Sequence, residues 1–369
     1  MKKLYLFLGA VLLVVLLGLG LLWFSGRPVK SPPPESRAAV WVDGVRLSDA
    51  PVWDGETYVP LKTLAQTGKG SFSSVFGLRL KYRTTTVRLS SRRSAVRIGL
   101  KSKALAGPCR YYDGVWYAPV SLLPHLGMQV LEDPEMKQTF YSFAPDPASV
   151  RSNRSVVILR YHCVSDDIWG GEGLFMSPEK VEEQITAMEE MGCTFITFED
   201  LDRIGQIRNP VLLTLDDGYM DNYTELFPIL QRHNAKATIF VITGLVGKPY
   251  YLTEDMIREM DASGLVSFQS HTVTHSDMNE MTPEEQEYEA STSQLALARM
   301  IGKIPFAMSF PRARADEDAM ACVSRYYQYV VIADGKPWVT GTDPLNIPRF
   351  AMPRDITMDT FRSYFDCFR

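Results

Sequence analysis

The stretch Val211-Leu212-Leu213-Thr214-Leu215-Asp216-Asp217-Gly218 sets the reading of this chain. Its continuous apolar run is short and bounded by Pro210 and Gly218, the pattern of a buried strand. Two adjacent carboxylates at the exit of such a strand are costly to place. In α/β folds the carboxyl ends of strands are where chemistry sits. Neighbouring side chains on an extended chain point to opposite sides. Asp216 and Asp217 therefore share one task only if the chain turns, and Gly218 permits a turn. The division that suits them is one carboxylate on a metal and the other free as a base.

A partner for that metal lies further on. Val266-Ser267-Phe268 is strand-like and leads into Ser270-His271-Thr272-Val273-Thr274-His275. The other histidines are His125, His162 and His233. One Asp and two His leave a position open for water, the ligand count of a catalytic site rather than a closed structural one. Taken singly, an Asp-Asp pair reads as a turn or helix cap, and His-x-x-x-His as a solvated helix face. Taken together, each after its own apolar strand, they point to a metal site.

The chain has 369 residues, enough for two or three domains, and is 46% apolar, ample for buried cores. A formal net charge of −4 gives no reason to expect a nucleic-acid partner. Cys109, Cys163, Cys193, Cys322 and Cys367 form no C-x-x-C, so neither a disulfide framework nor a cysteine metal cluster is expected.

Leu4 to Phe24 is a run of 21 uncharged residues, long enough to span a bilayer. Lys2 and Lys3 precede it and Arg27 and Lys30 follow, so the charge bias decides little. There is no small-x-small cleavage site before Ser25 and no lipidation cysteine. An uncleaved signal anchor over residues 1–25 fits better than a cleaved signal peptide. It implies a single-pass protein at the cell membrane with its catalytic domain extracytoplasmic. Residues 26–38, with Pro32-Pro33-Pro34, read as a stiff linker.

The next region repeats itself. Asp54-Gly55-Glu56-Thr57-Tyr58-Val59-Pro60 matches Asp113-Gly114-Val115-Trp116-Tyr117-Ala118-Pro119 at an offset of 59, and Leu64 matches Leu123. Each copy reads as a hairpin with an Asp-Gly turn followed by a short helix. Residues 39–145, a small α+β two-repeat domain, resemble the copper amine oxidase N-terminal-like stalk domain. No copper site is expected, because His125 is the region's one histidine.

From Ser155 strands and helices alternate. Strands are expected at Val156–Arg160, Phe195–Thr197, Val211–Leu215, Thr238–Ile242, Val266–Phe268, Phe306–Phe310 and Tyr329–Ile332. Helices are expected to open at Ser177-Pro178, Thr253, Thr282 and Thr357. The pattern predicts an α/β fold, a distorted (β/α)7 barrel over residues 155–369.

Here a second resemblance enters. Thr214–Gly218 with Tyr219-Met220-Asp221-Asn222-Tyr223 resembles the first signature of the polysaccharide deacetylase (NodB-homology, carbohydrate esterase family 4) domain. Ser270–His275 is similar to its second signature, and Tyr161-His162 to the branch that deacetylates poly-N-acetylglucosamine. The resemblance implies that Asp217, His271 and His275 hold a divalent metal, usually Zn2+. It implies Asp216 as general base and His162 as acid. On sequence alone, His162 stays open between acid and support for another ligand. No late Leu-x-His motif competes for the acid role.

Tyr219, Phe310, Pro311 and Arg312 would then meet the substrate. The third signature departs from the family's Arg-x-Pro-Tyr: Met308-Ser309-Phe310-Pro311-Arg312-Ala313 keeps an aromatic and a proline but has Arg312. Arg312 reads either as a contact to an anionic sugar or as a surface arginine. His233 reads as a solvated helix residue. The expected function is hydrolysis of acetyl groups, chiefly N-acetyl, from surface polysaccharide or peptidoglycan. The alternative is a tethered glycan-binding protein with little or no activity.

Overall fold

The computed structural model describes residues 28, 30–75, 77–150 and 152–368. The expected anchor over residues 1–25 lies outside them. Among the described residues no helix is long and apolar enough to cross a membrane. The chain divides into two compact units, residues through Val40 with Val45–Leu126, and Trp41–Gly44 with Gly127 onward.

Unit 1 carries strands β1 (Ser36–Val42), β2 (Val45–Trp53) and β3 (Glu56–Pro60), then helix α1 (Leu61–Thr67). A separate antiparallel meander follows: β4 (Ser71–Ser73), β5 (Leu78–Tyr82), β6 (Thr85–Leu89), β7 (Ala95–Ile98) and β8 (Lys101–Ala104). The unit returns with β9 (Arg110–Tyr112), β10 (Val115–Pro119) and a 3-10 turn at Val120–Leu126. The end of the expected linker is fastened rather than free: Ser36 already begins β1, and Trp53 Nε1 donates to the Pro32 carbonyl at 2.9 Å.

Both repeat turns take the backbone that Asp-Gly favours. Asp54 and Gly55 have φ of 53° and 73°, and Asp113 and Gly114 have 48° and 81°. Positive φ at both central residues is the two-residue turn whose twist matches its strands. The two copies pair with each other. β3 and β10 are antiparallel, with Val59 opposite Ala118, Tyr58 opposite Pro119 and Pro60 opposite Tyr117. Equivalent residues thus exchange places about the Val59–Ala118 pair, an internal two-fold. Leu64 and Leu123, the matched leucines, are both fully buried beneath it.

Unit 2 opens with a hairpin of β11 (Met128–Asp133) and β12 (Gln138–Phe143), then β13 (Ser155–Tyr161) and the short β14 (Cys163–Val164) and β15 (Phe175–Met176). Helix α2 (Pro178–Glu190) leads to β16 (Thr194–Phe195) and β17 (Pro210–Leu215). After α3 (Phe227–His233) come β18 (Ala237–Val241), α4 (Glu254–Ala262) and β19 (Val266–Ser270). The chain continues through α5 (Pro283–Ile301), β20 (Ala307–Ser309), α6 (Glu317–Val323) and β21 (Tyr329–Val331). It ends with β22 (Trp338–Val339), β23 (Phe350–Ala351) and α7 (Met358–Ser363). Each expected strand is present within a residue or two. Ser177, Thr253, Thr282 and Thr357 each cap a helix through the side chain, and Thr282 with Glu285 closes a capping box.

The main sheet runs β21-β20-β19-β18-β17-β13, all parallel, and β23 adds in parallel to β13. The segment before β23 reaches the opposite edge: Val330 N donates to Pro344 O and Ile332 N to Ile347 O, each at 2.8 Å. The sheet is therefore curled, its two edges joined through residues 344–351. Val157 and Leu159 of β13 enter one core, and Val156 and Ile158 another. Burial on both faces explains why these strands read as continuous apolar runs. The parallel run of β21, β20, β19, β18, β17, β13 and β23 sends their carboxyl ends to one rim.

Candidate active site

At that rim the chain turns as the Asp-Asp-Gly stretch requires, with both Asp217 and Gly218 at φ 77°. A Cβ on Gly218 would meet Val241 Cγ2 at 3.3 Å, so glycine serves both the turn and the approach to β18. The turn separates the two carboxylates. Asp217 faces His271 and His275, whose Nε2 atoms lie 3.3 and 3.4 Å from its Oδ1. One ligand atom from each of the three comes within 4.8 Å of the others. Asp217 Oδ1 is buried and accepts no hydrogen bond. A buried carboxylate oxygen without a donor is costly, and two imidazole nitrogens aimed at it are a donor set for a cation. The residues present fit a divalent metal.

The histidine pair does not ride on a helix. His271 follows β19, and His275 sits in an irregular loop with φ 63°. His271 Nδ1 bonds the Ser309 carbonyl oxygen at 2.6 Å, which turns Nε2 toward Asp217. The loop is shaped from α5. Buried Glu289 accepts from Val273 N at 2.7 Å, Thr274 N at 3.0 Å and Thr274 Oγ1 at 2.7 Å. Gly244 closes against the same loop, where an added Cβ would stand 2.6 Å from Val273 O.

Asp216 has a different partner. Arg349, fully buried, grips it with both arms: Nη1 to Oδ1 at 2.7 Å and Nη2 to Oδ2 at 2.8 Å. The remaining donors of Arg349 reach Thr214 Oγ1, Ser309 Oγ and the Ile332 carbonyl at 3.1, 2.9 and 3.3 Å. Burial works to raise the Asp216 pKa, yet Arg349, His271 and His162 outweigh it and hold the carboxyl well below its usual range. Asp216 is thus a fixed carboxylate beside the triad.

His162 is half-buried, just past β13, and among the described residues its ring makes no hydrogen bond. Burial draws its pKa below the usual histidine value, against the pull of Asp216 and Asp217. Asp221 and Asn222 pin its loop: Asn222 Nδ2 donates to the His162 carbonyl at 2.9 Å, and Val164 N donates to Asp221 Oδ1 at 2.8 Å.

The residues expected to meet substrate divide. Tyr219 is buried beside Asp217; burial and the neighbouring Asp217 charge push its phenol pKa up. Phe310 and Pro311 are also buried, their side chains inside the unit. Arg312 is exposed, at φ 58°, with Nη1 3.7 Å from Asp277 Oδ2. An aromatic shelf missed by the sequence reading adjoins Tyr219. Trp169 packs edge-on against it with ring centroids at 5.0 Å and stacks on exposed Tyr250 at 4.5 Å. His233 is not solvated. At the end of α3 its Nδ1 meets Glu189 at 3.0 Å and its Nε2 meets Glu182 at 3.3 Å, both on α2. The five cysteines are free and scattered.

Comparison with known proteins gives the site a context. Residues 205–331 match the family model for polysaccharide deacetylase. YxkH of Bacillus subtilis (strain 168), provisionally assigned as a polysaccharide deacetylase, is 31% identical over 173 residues, 46% of this chain and 60% of YxkH. The poly-beta-1,6-N-acetyl-D-glucosamine N-deacetylase of Staphylococcus aureus (strain MSSA476) is 30% identical over 106 residues, 26% of this chain and 37% of that protein. The crystal structure of BA0330 from Bacillus anthracis, also a provisionally assigned polysaccharide deacetylase, has a TM-score of 0.55 at 29% identity. The match covers 58% of this chain and 69% of that one. The chain thus spans about three fifths and about a third of these two curated relatives. Together the matches liken this chain to polysaccharide deacetylases.

Proposed function

We propose that unit 2 removes acetyl groups, most readily N-acetyl, from a cell-surface polysaccharide or peptidoglycan. One observation carries this reading. The donor set Asp217, His271 and His275, with Asp217 Oδ1 unsatisfied, stands beside a second carboxylate that is ion-paired and fixed. The staphylococcal relative's activity supports an N-acetylated sugar polymer as substrate class.

Asp217, His271 and His275 would hold a divalent ion, Zn2+ by the nature of the ligands. Such an ion supplies Lewis acidity, polarising a carbonyl and bringing the pKa of water toward neutrality. Asp216 accepts the proton of the attacking water. Its low proton affinity suits it only to a proton already made acidic, and the Arg349 fork keeps the carboxylate aimed while it does so. His162, just past β13 with an unbonded ring that feels the charge of both carboxylates, delivers a proton to the departing amine. Trp169 and Tyr250 offer a sugar ring an apolar face.

The same reading includes a membrane anchor over residues 1–25, unit 1 as a stalk, and unit 2 outside the cytoplasm. Acetate release from a panel of acetylated glycans, with and without chelator, tests the activity. Release should be lost with chelator and fall by at least about a hundredfold in Asp216→Asn with metal still bound. Glycan binding without acetate release in the metal-loaded parent would favour the binding-protein reading. Undiminished release in Asp216→Asn would overturn the base assignment.

A further inference from the structure

Between Thr57 and Tyr112 there are twelve Lys and Arg and no Asp or Glu, in a chain whose total is −4. The balancing acids all lie elsewhere in the sequence. Most of the segment is the β4–β8 meander, and its registers show where the cations go. Arg79 of β5 stands opposite Arg88 of β6, and Arg88 opposite Arg97 of β7. Ser73 of β4 continues the row on one side and Ser102 of β8 on the other. Residues directly opposite share a face. The row therefore reads Ser-Arg-Arg-Arg-Ser across five adjacent strands. A second row beside it carries Ser71, Lys81 and Thr86.

All eight of these residues are exposed, while Leu78, Leu80, Tyr82, Val87, Leu89 and Val96 fill the opposite face. Among the described residues no carboxylate pairs with Arg79, Lys81, Arg88 or Arg97; Arg97 Nε donates only to the Gly99 carbonyl, at 3.2 Å.

Like charges directly opposite in a sheet are destabilising. A face meant only for solubility mixes both signs. Edge protection accounts for lysines on an outer strand such as Lys101 and Lys103 of β8, but not for arginines on three successive inner strands. Strands lie about 4.8 Å apart, so the three arginines, by their Cα positions, span about 10 Å across the sheet. A single anion would engage one or two of them, whereas a linear chain of anions engages all three. The hydroxyls of Ser73, Thr86 and Ser102 add hydrogen-bonding groups suited to sugar or polyol oxygens. Among the described residues neither row carries an aromatic ring on which a base could stack.

We propose that this face of unit 1 binds a linear polyanion of the sugar or polyol kind, with phosphodiester or carboxylate charges along its backbone. The proposal is independent of the deacetylase reading. The full-length protein is titrated with labelled poly(glycerol phosphate) and polygalacturonate, alongside neutral dextran, single-stranded DNA and anionic phospholipid vesicles. At least one of the first two polymers should bind and dextran should not. Affinity should fall about twentyfold between roughly 50 and 200 mM salt, as three released counterions dictate.

Arg79→Gln/Arg88→Gln/Arg97→Gln should weaken binding at least about tenfold, while Lys101→Gln/Lys103→Gln changes it less than about threefold. Arg88→Gln alone, expected to lose about threefold, decides the matter should the triple variant melt early. The two charged polymers separate a phosphodiester from a carboxylate source. Absence of binding to both, equal loss in the row and edge variants, no loss in Arg88→Gln, or tighter binding of DNA or vesicles would each overturn the proposal.

Discussion

The carboxyl rim of unit 2 and the β4–β8 face of unit 1 are both crowded with charge, yet they handle it in opposite ways. At the rim, Asp216 and Arg349 are buried and spend nearly every polar atom on one another or on Thr214 and Ser309. The exception is Asp217 Oδ1, among the described residues the one buried carboxylate oxygen without a hydrogen-bond donor. On the meander, Arg79, Arg88 and Arg97 are exposed and stand opposite one another, with a serine at each end of the row and no acid among them. Burial makes an unpaired charge so costly that one orphan atom is informative. Exposure makes repulsion cheap, so only its repetition along a row is informative. In each region the unsatisfied group is where the proposed ligand would sit, a metal ion in one and a polymer in the other.

The sharpest way to break this contrast is at Arg349. Arg349→Met leaves Asp216 buried without its partner and should lower stability by about 3–5 kcal/mol in denaturant unfolding. The double variant with Asp216→Asn should recover part of that loss. A loss below about 1 kcal/mol would mean that the rim tolerates unpaired charge as the meander does. The next largest effect concerns Asp217. A divalent ion at about a hundred times its Kd should stabilise the parent by about 2.7 kcal/mol, and His271→Ala should abolish the gain. Equal melting temperatures with and without chelator would remove the metal from the comparison.

Asp133 and Arg299 offer an intermediate case, a buried carboxylate held by a partly exposed guanidinium at 2.7 and 2.8 Å. Arg299 holds Asp133 well below the usual carboxylate range. A depressed folded-state pKa gives stability that is whole above the unfolded value of about 3.9 and fades as pH falls through the folded one. Arg299→Met should therefore lose about 1–3 kcal/mol at pH 7, and the gap to the parent should narrow only in strong acid. A gap that widened on acidification would contradict the sign. The smallest effect belongs to the meander, where Arg88→Gln relieves two opposed pairs and should gain about 0.2–1 kcal/mol. A melting temperature that falls instead would show those arginines to be structural.

Much of this was open to reading before the fold was known. The strand ends at Leu215 and Ser270, the four capping hydroxyls and the two Asp-Gly turns are local facts, set by periodicity and by hydrogen bonds within a few residues. The ligand types Asp217, His271 and His275 follow from strand exits in the same way. His233 was misread because its glutamates, Glu182 and Glu189, come from a helix about 50 residues earlier. Arg349 left no signal at all: it sits 133 residues from Asp216 and meets it only because the sheet curls until the two edges join. The arginine row was hidden by a net charge averaged over the whole chain.

Sequence by itself determined which residue types stand at strand ends and turns, and hence the chemistry on offer: two carboxylates, two imidazoles, a two-copy hairpin. The family resemblance already divided the carboxylates, Asp217 with the imidazoles and Asp216 apart; tertiary structure alone decided that Asp216 is held by Arg349. It also paired the two hairpins edge to edge about Val59 and Ala118, and lined three arginines across three strands. The reason is the range of the interactions. Caps, turns and alternation act over a few residues and are written in order along the chain. A buried ion pair or a register exists only when distant segments are brought together, and its energy depends on that meeting.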